Sequence, residues 1–164
     1  MKEKHCKDCG ALLVEKTCVN EGVVPFCCHC NQYRFPAFNT AISAIILSPD
    51  QTKILLIQQY GSKDNILVAG YVALGDNLES TLNREIQEEV GLSVHSSRYM
   101  SSEFHSGSNT LMCNYLCVAS SEDLSGTNHE IDHAAWFSFD NAVSEIKQGS
   151  LAETFLLRAI ESLK

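Results

Sequence analysis

GYVALGDNLESTLNREIQEEVGL, residues 70–92, decides how the rest of the chain is read. Glu85, Glu88 and Glu89 stand at i, i+3 and i+4 of a helix-prone run, so on a helix they share one face. Three carboxylates on about 100° of arc repel one another and add nothing to stability. They suit hard divalent cations, which take oxygen ligands. Leu82, Ile86 and Val90 recur at the same period and predict the buried side of that helix. Asp76 or Asn77 can cap its start near Leu78, and Gly91 ends it after Val90. An acidic helix stripe by itself is ordinarily a solvated face. This one is set in a longer ordered series: Gly70, Asp76, Arg84, Glu85, Ile86, Glu88, Glu89, Gly91 and Leu92.

The chain has 164 residues, room for one ordinary domain and a small module. Hydrophobic residues make up 45% and charged residues 20%, the balance of a globular protein rather than a disordered one. A net charge of -8 argues against a nucleic-acid partner, which needs phosphate-neutralising Lys and Arg. Bound cations would still admit a phosphate substrate, because they reverse the local field. No run approaches the ~18 apolar residues of a membrane span, and the opening MKEKHCKDC has no apolar signal region. The expected location is cytoplasmic, with the eight cysteines reduced.

Cys6-x-x-Cys9 and Cys27-x-x-Cys30 are two knuckles with the spacing of a four-thiolate zinc site. Gly10 and Asn31 follow the second cysteine of each pair, and both tolerate the positive φ that such a turn uses. Cys28 could replace Cys27 in a shifted register, with spacing favouring Cys27. Apolar residues 12–14 and 23–26 read as short strands of a zinc ribbon. A module so small has little core, so the metal would supply much of its folding energy. Four protein ligands leave no open position, which makes the site structural. Cys18, Cys113 and Cys117 read as ordinary small residues.

Residues 33–39 form a linker punctuated by Pro36. Residues 40–47 and 53–59 read as a hairpin, 66–72 contains a short strand, and 93–104 and 109–119 are strands. Residues 120–129 form a polar loop and 134–139 a strand. Asp140 is placed to cap a short helix through Lys147, and 151–164 has the apolar period of a terminal helix.

The series from Gly70 to Leu92 resembles the Nudix box: a glycine, five residues, an acid, seven residues, then Arg-Glu-apolar-x-Glu-Glu-x-Gly-apolar. Two positions depart from it: Asp76 stands where the family usually has Glu, and Ala73 where many members carry Glu. The resemblance implies an α+β fold, a Nudix α/β/α sandwich with a mixed sheet, here preceded by the small N-terminal zinc ribbon. The expected division is residues 1–35 and 36–164. A ribbon ahead of such a domain is similar to the NADH pyrophosphatase branch. Phe35-Pro36, the Ala69-Gly70-Tyr71-Val72 run and the Glu130-Ile131-Asp132-His133-Ala134-Ala135-Trp136-Phe137 segment resemble that branch too. The Pro- and aromatic-rich specificity segment of the branch is missing from 101–112, although Leu111-Met112 remains.

The resemblance implies divalent-metal-dependent hydrolysis of a nucleoside-diphosphate-linked substrate, an NADH- or NAD-like dinucleotide giving two monophosphates. Glu85, Glu88 and Glu89 would hold Mg or Mn, and one of them, or Glu130, would accept the proton of the attacking water. Arg84 would orient a carboxylate and the loop. Phe104 and Tyr71 are candidates to stack on a base or nicotinamide, each equally readable as a packing aromatic. Zinc would be the structural cofactor, and the branch's dimers imply a homodimer. Alternatives are ADP-ribose, FAD, a nucleotide sugar or capped RNA as substrate, or a non-hydrolytic nucleotide sensor.

Overall fold

The computed structural model describes residues 4–163 and divides the chain into two compact units, Met1–Phe38 and Asn39–Lys164. In the first unit, β1 (Val14–Cys18), β2 (Gly22–Cys27) and β3 (Gln32–Tyr33) form an antiparallel sheet. The first strand starts later than the apolar run 12–14 suggested, because Leu12 is bridged to His5 beside the first knuckle. The buried apolar residues of this unit are few: Cys6, Val24, Phe26 and Cys27.

The second unit carries β4 (Asn39–Leu47), β5 (Lys53–Gln59), β6 (Val68–Tyr71), α1 (Leu78–Val90), β7 (Val94–His105), β8 (Thr110–Ala119), β9 (Ile131–Ser138), α2 (Phe139–Glu145) and α3 (Leu151–Ser162). Its strands run in the order β7-β8-β4-β5-β9, with β6 paired to β4. The sheet is mixed, since β4 and β8 are parallel and the other pairs antiparallel. Alternation along β4 gives the strand two buried faces. Ile42, Ala44 and Ile46 pack with Leu82, Ile86 and Val90 of α1, while Ile45 and Leu47 pack with Ala142 of α2 and Phe155, Leu156 and Ala159 of α3. Helices therefore cover both faces, and the α/β/α sandwich expected from the sequence is the fold observed.

Three local expectations change. The 40–47/53–59 hairpin closes only at Leu47↔Ile54. On its other edge β5 pairs with β9 throughout, from Lys53↔Ser138 to Gln59↔Ile131, while β4 takes β6 as its partner from Ala41↔Tyr71 to Ala44↔Val68. The last strand begins at Ile131 and ends at Ser138, whose hydroxyl accepts the Asn141 N–H at 3.4 Å and caps α2. Asp140 instead lies in the first turn of α2, where its charge favours the helix N-terminus. The terminal helix is α3, ending at Ser162, and Lys164 lies outside the described residues. Among the described residues no helix is long and apolar enough to cross a membrane.

Candidate active site

Local chemistry fixes α1 at both ends. The Asn77 Oδ1 accepts the Ser80 N–H at 2.8 Å and the Asn77 N–H donates to the Ser80 Oγ at 3.2 Å, a reciprocal capping box. Gly91 takes the left-handed conformation at φ 68° and donates to the Gln87 carbonyl at 3.1 Å. Leu82, Ile86 and Val90 are fully buried, which fixes the helix's rotation. The three glutamates then meet different surroundings. Glu88 is exposed, Glu85 has 14% of its side chain exposed, and Glu89 is buried.

Gly70 explains the seat of Glu85. A Cβ built there would collide with the Glu85 carboxyl group, so glycine is what lets the side chain lie against β6. Arg84 Nη1 donates to Glu85 Oε1 at 2.7 Å and to Glu88 Oε2 at 3.2 Å. Its Nη2 stands 3.6 Å from Asp76 Oδ2, an ion pair too long for a good hydrogen bond. The shorter acid at 76 thus keeps its link to Arg84 in loosened form, while the guanidinium binds the box carboxylates.

Glu89 is the unusual group. Its Oε2 is buried without a hydrogen-bond partner. Burial, aided by the charges of Glu85, Glu130 and Glu88, pushes its carboxyl up to about 8. Burial also raises Glu85, against the opposing pull of Arg84. Glu130 is exposed at the end of the 120–130 loop, near enough for its charge to act on both. The four carboxylates come from α1 and this loop, and they fit a hard cation: the donors are oxygens, and one buried oxygen has no partner in the protein. Their oxygens are more widely spread than the thiols described below, since the thiols alone among the described residues form a group with all ligand atoms within 4.8 Å of one another.

The two aromatic candidates part company. Tyr71 pairs with Ala41, while Phe104 lies in the next cross-strand row with Leu111 and Thr40. Adjacent rows point to opposite faces of a sheet. Phe104 shares its face with Gly70 and the box helix; Tyr71 is on the other face.

In the first unit the Sγ atoms of Cys6, Cys9, Cys27 and Cys30 all lie within 4.8 Å of one another. Cys6–Cys30 is 3.9 Å and Cys9–Cys27 is 3.5 Å, close to the ~3.8 Å edge of a tetrahedron with Zn–S bonds of ~2.3 Å. The donor set therefore fits zinc. The Cys30 N–H donates to Cys27 Sγ at 3.3 Å, and Cys28 is exposed, outside the group. Arg34 Nε donates to Cys6 Sγ at 3.2 Å and holds that thiol down to about 6. Cys30, beside Cys9 and the other sulphurs, is pushed up to about 12.

Arg34 and Asn128 are absent from the sequence reading. Arg34 had no local signal, because its anchor, Asp8, is distant in the chain. Asn128 had one: an asparagine ahead of a strand is a turn former. Its N–H donates to the Glu89 carbonyl at 3.0 Å, and its Oδ1 accepts the Glu130 N–H at 2.8 Å.

Residues 37–157 match the NUDIX domain family, and the chain belongs to that family. Over 110 residues it is 34% identical to the human mitochondrial NAD(P)H pyrophosphatase NUDT13, covering 64% of this chain and 31% of that protein. Over 164 residues it is 25% identical to the NAD-capped RNA hydrolase NudC of Photobacterium profundum, covering 99% of this chain and 60% of that protein. The chain thus spans less than two thirds of either relative. A solved NUDIX hydrolase from Nitrosomonas europaea has the same fold, with a TM-score of 0.68 at 15% identity over 98% of this chain and 92% of that one.

Proposed function

We propose that the chain hydrolyses the pyrophosphate of a nucleoside-diphosphate-linked substrate, first of all an NADH- or NAD-like dinucleotide, to two monophosphates. The observation that carries the reading is Glu89, a buried carboxyl with an unpartnered oxygen, beside Glu85 on a helix fixed at both ends. Glu85, Glu88, Glu89 and Glu130 would hold Mg or Mn, which when bound neutralises phosphate charge and acidifies a water. Arg84 keeps Glu85 and Glu88 oriented and ties the 72–77 loop to the helix through Asp76. A carboxylate of the cluster takes the proton as the water oxygen bonds to phosphorus. The P–O bond to the bridging oxygen breaks, and the second monophosphate leaves.

The relatives named for NAD(P)H and for NAD-capped RNA support this substrate class. A net charge of -8 offers little to the body of an RNA, so the free dinucleotide is the favoured substrate over the capped end. Phe104, on the same sheet face as Gly70, is the better candidate to stack on a base; Tyr71 is set aside. In the first unit Cys6, Cys9, Cys27 and Cys30 would hold a structural zinc. We propose the cytoplasm as its location, because the two-knuckle cysteine pattern reads as reduced thiols, which persist in reducing compartments.

The test is a hydrolysis panel with Mg or Mn: NADH, NAD, ADP-ribose, FAD, nucleotide sugars and NAD-capped RNA. NADH or NAD should give two monophosphates, and Glu89→Gln should cut turnover at least ~100-fold. Turnover of another member alone would move the substrate. Binding without turnover across the panel would replace the enzyme with a nucleotide sensor.

A further inference from the structure

The loop ahead of β9 is docked onto α1 more firmly than a connection requires. Gly126 lies back to back with Gly91, so that a Cβ on Gly91 would stand 2.6 Å from the Gly126 Cα. Thr127 closes a turn on the Leu124 carbonyl, its hydroxyl at 2.7 Å and its N–H at 3.1 Å. Asn128 then makes three hydrogen bonds in two directions. Its N–H reaches the Glu89 carbonyl at 3.0 Å, its Oδ1 takes the Glu130 N–H at 2.8 Å, and its carbonyl takes the Ile131 N–H at 3.4 Å. The backbone thus grips the last turn of α1, and the side chain folds the next two residues into an Asx turn that sets where Glu130 stands.

We propose that Asn128 is a positioning residue: its side-chain oxygen holds Glu130 in register with Glu89, so that carboxylates from two separate elements address one divalent cation. The inference rests on the reading of this cluster as the hydrolytic site. Asn128 itself touches neither substrate nor cation. Residues that orient ligands in this way commonly matter nearly as much as the ligands.

Only one of the three bonds belongs to the side chain, so Asn128→Ala should free Glu130 and leave the loop docked. Asn128→Asp keeps the acceptor. Binding of Mn2+ is measured by electron paramagnetic resonance without substrate, alongside kcat, KM and the thermal midpoint. Asn128→Ala should weaken Mn2+ binding about tenfold and lower kcat with KM little changed, and Asn128→Asp should recover most of both. In a Glu130→Gln background Asn128→Ala should add little, because the residue it acts through is already disabled. Unchanged Mn2+ binding in Asn128→Ala, no recovery in Asn128→Asp, or a full additional loss in the Glu130→Gln background would each overturn the proposal. The Mn2+ titration needs no substrate. A wild-type protein that binds Mn2+ but turns nothing over would end the proposed function, while the binding comparison still decides the role of Asn128.

Discussion

Arg34 commits its whole guanidinium to one corner of the thiol cluster: Nε on Cys6 Sγ, Nη1 on Gln32 and Nη2 on Asp8, the latter two at 2.7 Å. A zinc held by four thiolates carries net negative charge, and a fixed cation with a donor on one sulphur offsets it. Arg34→Met should therefore speed zinc loss to a chelating dye by about tenfold. Arg34→Lys should fall between, keeping the charge and losing the fork. Equal release rates in all three proteins would remove Arg34 from the site. The cysteines themselves were legible, since knuckle spacing is a local property. Spacing favoured Cys27 over Cys28, and the backbone turn brings Cys27 into the group while leaving Cys28 exposed. Glu89 was legible as a glutamate on a helix, but its isolation was not: that follows from the rotation set by Leu82, Ile86 and Val90, and from the loop that ends at Glu130.

Among the elements, α1 was readable from its first residue to its last, because its cap, its apolar period and its terminating glycine all lie within its own stretch. The strand beside it matters as much. Gly70→Ala would drive a methyl into the Glu85 carboxyl group. That group ends a flexible side chain and can swing aside, so stability should change by no more than about 1 kcal/mol. The displaced carboxylate should cost turnover about 100-fold. Thermal melting and steady-state kinetics on the same preparation separate the two effects; wild-type turnover would show that Glu85 need not rest against β6. The caps tell the opposite story at α2. Ser138 and Asp140 are both good capping types, and the register of β9 against β5 decides between them. The exchange of β5 for β6 along β4 was equally hidden, since apolar alternation does not state which neighbour a strand takes and β5 finds its main partner in the distant β9.

At the scale of the whole molecule, the two units owe their folding to different sources. Residues 39–164 contain two apolar layers around one sheet, whereas the first unit buries a handful of apolar residues around four thiols. Structural zinc in such modules supplies on the order of 10 kcal/mol. Stripping it with a strong chelator should abolish the ordered signals of residues 14–33 in an NMR spectrum and leave those of α1 and the large sheet in place. Survival of β1 and β2 without metal, or collapse of the large sheet along with them, would contradict this division. The sandwich class was accessible through the box resemblance. The parallel pairing of β4 with β8 was not, because alternating apolar residues state which face is buried and not which neighbour a strand takes.

The contact between Gly91 and Gly126 also constrains how such a chain can diversify. Gly91 is held by its positive φ and by the neighbouring backbone at once, so it cannot acquire a side chain without pushing the loop outward. Gly126 is restrained through the same contact, and Glu130 lies only a few residues beyond it. Insertions and deletions are thus best absorbed ahead of Leu124, whose carbonyl anchors the Thr127 turn, between residues 120 and 123, where the chain can lengthen without moving the carboxylate. An engineer grafting a new recognition loop onto this scaffold would cut there.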